Sequence, residues 1–174
     1  MFEIRSAKNK DYESIRDFYY SLTDEMKDSK YKPGWEKDVY PTQEFLIQSI
    51  ENNELFVGEL NGQIVSCMVI NHQGNEGYKK IHWSMNVNDS LVYVIHALGV
   101  HPFYSGCGYA KQMVQFAIKE AEENHIKTIR LDVLSGNLPA EKVYCQFGFQ
   151  YLDTIQMYYE DTGWTDFKMY EYIV

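Results

Sequence analysis

Cysteine is scarce in this chain of 174 residues: Cys67, Cys107 and Cys145 are odd in number and far apart. That excludes a disulfide framework, matches no zinc-ligand spacing and suits a reducing cytoplasm, the expected location. The histidines show no metal-ligand spacing either, so no metal is expected. Cations are also short, with 16 Lys and Arg against 25 Asp and Glu and a net charge of −9. A nucleic-acid surface needs clustered Lys and Arg, so no nucleic-acid partner is expected, whereas an acidic field attracts a small cationic ligand such as an amine. No apolar run is long enough to span a bilayer, and Met1 to Arg5 lacks the apolar core of a signal peptide. No membrane partner is expected. Repeats, low-complexity tracts and linkers are missing too, which leaves one domain over residues 1–174.

What is present is a core: 45% of residues are hydrophobic and 16% aromatic, too apolar for a disordered chain. Phe2 to Ala7 alternates as a strand. Asp11 reads as the cap of a helix carrying Tyr12, Ile15, Phe18, Tyr19 and Leu22 to about Met26. Asp28 to Pro41 is an irregular, aromatic connection, either ordinary loop packing or a lid over an acceptor site. Thr42 caps a second helix to about Asn52. Asn61-Gly62 joins the strands Glu54–Leu60 and Gln63–Asn71 as a hairpin. Lys80 to Met85 is expected to extend the sheet, and Thr128–Leu134, Phe149–Tyr159 and Asp166–Ile173 supply the remaining strands. The order strand, helices, hairpin, crossover, helix, hairpin predicts an α/β sandwich on a mixed sheet.

One stretch organises the rest. Leu91 to Val100 is nearly unbroken hydrophobic sequence, with His96 its only side chain that titrates near neutral pH, and reads as a strand buried on both faces. Pro102 stops it, Gly106 and Gly108 open a loop, and Ala110, Met113, Val114, Ala117, Ile118 and Ala121 mark one face of a helix. Strand, glycine loop and helix N-terminus converge free N–H groups and a positive dipole end on one point, which suits phosphate. A dinucleotide fingerprint fits less well for want of a third glycine and a spaced acid. No Gly-Lys-Ser/Thr ending is present to hold magnesium.

Val100-x-Pro102-x-x-x-Gly106-x-Gly108-x-Ala110 before a helix resembles the acyl-coenzyme A loop of the GNAT superfamily of N-acetyltransferases. A second motif resembles the same family: Arg130-Leu131-Asp132-Val133-Leu134-x-x-Asn137-x-x-Ala140-x-x-x-Tyr144-x-x-x-Gly148-Phe149. The resemblance implies a three-layer α/β sandwich, a mixed and mostly antiparallel sheet of about seven strands with about four helices. It implies an acetyltransferase that moves acetyl from acetyl-coenzyme A to a primary amine by direct attack in a ternary complex. Related proteins are often dimers. The alternative is a coenzyme A-binding regulator without turnover.

Residue by residue, the resemblance implies that backbone N–H groups of Gly106, Cys107, Gly108, Tyr109, Ala110 and Lys111 hold the pyrophosphate, with Lys111 adding charge. Backbone groups of Leu98 and Val100 would pair with the pantetheine arm, and Asn137 would reach it from the side. Asn137 also suits a helix N-cap. The family usually has Gln or Arg where this chain has Phe103, which removes one polar contact. Tyr144 is the candidate proton donor to the departing thiolate. His96 falls near the place of a glutamate in many members, and it is expected on the strand face of Leu98 and Val100 if no bulge intervenes. It is either the catalytic base or a core histidine donating to a carbonyl.

Overall fold

The computed structural model describes all residues, Met1–Val174. Seven strands form one sheet in the order β1-β2-β3-β4-β5-β7-β6. They are β1 (Phe2–Ser6), β2 (Leu55–Leu60), β3 (Gln63–Asn71), β4 (Val92–Val100), β5 (Thr128–Leu134), β6 (Gln150–Tyr159) and β7 (Gly163–Ile173). Every neighbouring pair is antiparallel except β4 and β5. Those two are joined by a crossover through helix α3 (Tyr109–Glu123).

The period of two in the strands sorts side chains into two layers. From β3, Cys67 and Val69 pack with Ile15, Phe18 and Leu22 of α1 (Tyr12–Met26) and with Leu46 and Ile50 of α2 (Gln43–Glu51). Their neighbours Met68 and Ile70 face the other way. There they meet Met113, Val114 and Ala117 of α3, Tyr144 of α4 (Leu138–Gln146), and Ile129, Leu131 and Val133 of β5. The result is the three-layer mixed sandwich expected. Thr42 caps α2 as predicted, its Oγ1 accepting the Phe45 N–H at 3.1 Å.

Two local expectations fail for identifiable reasons. Asp11 does not cap α1 through its side chain. Its carboxylate is taken by Arg5 at 2.7 Å and by the Lys8 N–H at 2.8 Å. Lys80–Met85 forms no strand. Its polar groups serve a buried ion pair between Arg130 and Glu171 instead. The Ser84 N–H donates to Glu171 Oε2 at 2.7 Å, the Met85 carbonyl accepts from Arg130 at 2.6 Å, and Trp83 lies over the guanidinium. A segment that satisfies buried charges in this way has no ladder bonds left to give.

Candidate active site

The parallel pair is short. β4 and β5 are in register only at Val92, Val94 and the residue between them, opposite Thr128 to Arg130. Beyond Val94 the strands part, and the edge of β4 that carries Leu98 and Val100 has no neighbour on that side. A cleft of about 690 Å³, its open mouth included, occupies the gap. Its wall draws on both layers. Asn137, Ala140 and Tyr144 come from α4 and its cap, while Trp35, Tyr40, Tyr159 and Asp161 come from the α1–α2 connection and the β6–β7 hairpin. The aromatic connection thus both packs on the core, with Trp35 against Tyr19 at 5.6 Å, and walls the cleft.

At the end of β4 the chain makes a tight 3₁₀ turn, Pro102–Tyr104, and enters α3 through Gly106 (φ 77°) and Gly108 (φ 82°). Both are left-handed, and a Cβ at either would meet nothing within 4 Å, so the space in front of the loop is open. The backbone N–H groups of Gly106, Gly108, Tyr109, Ala110 and Lys111 donate to no group of the protein. Cys107 N–H is the exception, reaching Tyr104 O at 3.4 Å. Five unfilled donors at the positive end of a 15-residue helix fit an anion of diphosphate size. Tyr109 stacks on Phe2 at 4.3 Å and ties the helix start to β1. Lys111 is exposed beside the loop, and Phe103 is 76% exposed and contributes no donor there.

Helix α4 sets the second wall. Asn137 occupies its N-cap position without making a capping bond, so its amide is left for the cleft. At the other end, Phe149 N–H bonds Tyr144 O at 3.2 Å and Gly148 N–H bonds Cys145 O at 3.1 Å, the paired closure that a left-handed Gly148 (φ 92°) permits. The accompanying apolar contact is Phe149 on the Tyr144 ring at 5.4 Å. The helix stop therefore fixes the tyrosine. Its hydroxyl takes no protein partner and lines the cleft, while burial, with Asp132 adding to it, pushes the phenol upward and keeps it protonated.

His96 departs from expectation. Val69 pairs with His96 and Cys67 with Gly99, so β4 carries an extra residue there, with Ala97 at φ 50°. The bulge leaves Leu98 packed toward α3, whereas His96 turns toward α2, where Phe45 meets its ring edge-on at 6.1 Å. His96 therefore does not share the face of Leu98 and Val100. Asn71 Oδ1 accepts from Gln73 N–H, which marks it as oxygen, so His96 Nε2 donates to it at 2.8 Å. Burial holds the imidazole down to about 4, with a Gln73 backbone bond opposing.

Sequence reasoning missed three groups in the cleft. Asp132 receives the hydroxyls of Tyr78 at 2.7 Å and Tyr159 at 2.9 Å, and burial raises its pKa despite both donors. Asp161 is raised to about 6, chiefly by burial, while N–H groups of its own turn pull the other way. Tyr40 is held protonated by burial next to these acids. Asp132 occupies the polar step between Leu131 and Val133 of β5, where an acid reads as solvent-facing, so the order of residues carries no signal for it.

A parallel strand pair that opens between a bare helix N-terminus and a tyrosine-bearing helix defines an acetyltransferase-type domain. The chain belongs to the acetyltransferase (GNAT) family, whose sequence model matches residues 15–149. The fold is shared with solved structures of low identity. A GNAT-family acetyltransferase from Streptococcus agalactiae 2603 superposes with a TM-score of 0.81 at 20% identity, covering 99% of this chain and 95% of that one. One from Listeria monocytogenes 4b F2365 gives 0.76 at 23% identity, with coverages of 99% and 95%. A Salmonella typhimurium protein solved with its cofactor acetyl-CoA gives 0.71 at 17% identity, covering 99% and 94%.

Proposed function

We propose that this chain transfers an acetyl group from acetyl-coenzyme A to a primary amine by direct attack in a ternary complex. The observation that carries the reading is the row of unfilled N–H donors from Gly106 to Lys111, set at the end of a strand whose edge is open along the cleft. These amides and Lys111 hold the diphosphate. The free edge of β4 at Leu98 and Val100 pairs with the amides of the pantetheine arm, and Asn137 reaches it from the opposite wall. Acetyl-coenzyme A supplies the activated thioester. A backbone N–H of β4 steadies the negative charge that builds on the carbonyl oxygen, and Tyr144 protonates the leaving sulfur. The acceptor side carries Asp132 and Asp161 and no lysine or arginine, which supports a small cationic amine.

The test is to incubate the chain with acetyl-coenzyme A and a panel of amines and to follow free thiol. Release that depends on the amine is expected. Binding of acetyl-coenzyme A with no such release for any amine would instead support a regulator that only holds the carrier.

A further inference from the structure

The bulge in β4 leaves two residues, Ala97 and Leu98, facing Met68 alone, since Val69 pairs with His96 and Cys67 with Gly99. Their side chains part, Ala97 packing in the layer of α1 and α2 and Leu98 in that of α3. Ala97 sits at φ 50°, a left-handed position that disfavours any residue with a Cβ and persists only where its surroundings hold it. A side chain from the α1 layer supplies that hold. The Tyr19 hydroxyl donates its one hydrogen bond to the Ala97 carbonyl at 2.7 Å, inside the core.

Tyr19 is itself fixed. Its buried ring stands edge-on to Phe18 at 5.1 Å and to Trp35 at 5.6 Å. Leu22, on the next turn of α1, seats so closely against β4 that a Cβ at Gly99 would lie 2.8 Å from its Cδ1. Burial, with Cys67 and Tyr40 adding to it, pushes the phenol well up, so the hydroxyl keeps the proton it donates. Tyr19 does not line the cleft, whereas Ala97 and Leu98 both do.

The peptide between Ala97 and Leu98 is trans and planar, so its C=O and its N–H point in opposite directions. With the carbonyl drawn toward α1, the Leu98 N–H is turned toward the other layer, from which Tyr144 reaches the cleft. When an amine adds to a thioester, the C–N bond forms and the carbonyl π pair moves onto oxygen. A donor already aimed at that oxygen stabilises the charge without having to reorganise. We infer that Tyr19 is a positioning residue for the transfer: by holding the Ala97 carbonyl it fixes the bulge and aims the Leu98 N–H at the thioester oxygen. The assignment rests on the acetyl-transfer reading, and in it Tyr19 touches neither carrier nor acceptor.

Tyr19→Phe keeps the ring and removes the donor. It should lower kcat about 10-fold, short of the roughly 100-fold or more that deleting such a donor outright costs. KM for the amine and the calorimetric affinity for acetyl-coenzyme A should stay unchanged, because the loop before α3 and the acceptor wall are untouched. A spectroscopic readout separates aim from packing. With acetyl-coenzyme A labelled with carbon-13 at the thioester carbonyl, the parent should draw the bound C=O stretch below that of the free carrier, and Tyr19→Phe should return most of that shift. Ala97→Gly removes the strain that the phenol offsets, since glycine adopts positive φ freely. In that background, loss of the hydroxyl should cost only about 3-fold in kcat, the mark of two coupled sites. Equal kcat for the parent and Tyr19→Phe overturns the assignment, as does an unmoved carbonyl stretch. If Tyr19→Phe does not fold alone, equal kcat with and without the hydroxyl in the Ala97→Gly background overturns it instead. Should the parent release no thiol with any amine, acetyl transfer itself fails and the positioning role falls with it, a result distinct from a parent that turns over and a variant that matches it.

Discussion

Tyr144 illustrates how a single side chain is positioned by its surroundings rather than by its own bonds. Its ring is clamped by Phe149 and its hydroxyl is left without a protein partner, so Tyr144→Phe should keep the packing and lose only the proton. Turnover should fall by about 100-fold, within the range for a general acid, with acetyl-coenzyme A affinity by calorimetry unaltered. Asp161 makes the opposite case, a group whose charge costs stability. Its folded pKa of about 6 lies above the ordinary carboxylate value, so between the two the folded state holds the extra proton and stability declines as pH rises from about 4 to 6. Asp161→Asn should therefore raise Tm at pH 7.5 and leave it nearly unchanged at about pH 2.5, below both values, where the acid is neutral in both states. At this scale the sequence was half legible. Tyr144 and the loop glycines stood out by spacing. Asp132 did not, because its partners Tyr78 and Tyr159 lie 54 and 27 residues away and only the sheet brings them together.

Elements were read more fully than residues. Apolar periodicity located three helices and the seven strands, since each buries one stripe or alternate positions against a neighbour, while α4 was marked by Pro139 in its first turn and Gly148 at its close. It failed where side chains, not ladders, claimed the backbone, as at Lys80–Met85. It failed again at Ala97, where one inserted residue in β4 moved His96 off the face that strict alternation assigns. Such a bulge leaves no mark in the order of residues, because Ala is not a residue that favours positive φ. The loop before α3 carries its own prediction. Gly108→Ala puts a methyl group into the open space before five bare N–H groups and strains a left-handed position by about 1 kcal/mol. Acetyl-coenzyme A binding measured by calorimetry should weaken by more than the accompanying loss of thermal stability explains.

The whole molecule adds a field that no single residue supplies. A net charge of −9 surrounds a cleft whose wall holds two carboxylates and no lysine or arginine. Attraction of that kind is screened over about 10 Å at 0.1 M salt. KM for a cationic amine should accordingly rise with ionic strength, whereas KM for an uncharged amine analogue should stay level in steady-state assays. The acidic balance was plain in the composition, but its bearing on the site was not, since the acids that matter come from β5 and the β6–β7 turn. The parting of β4 and β5 has a consequence of its own for the order of events. On the acetyl-transfer reading proposed above, a sheet parted at its centre would let carrier and acceptor occupy the gap together, so the acyl group would need no temporary berth on a side chain.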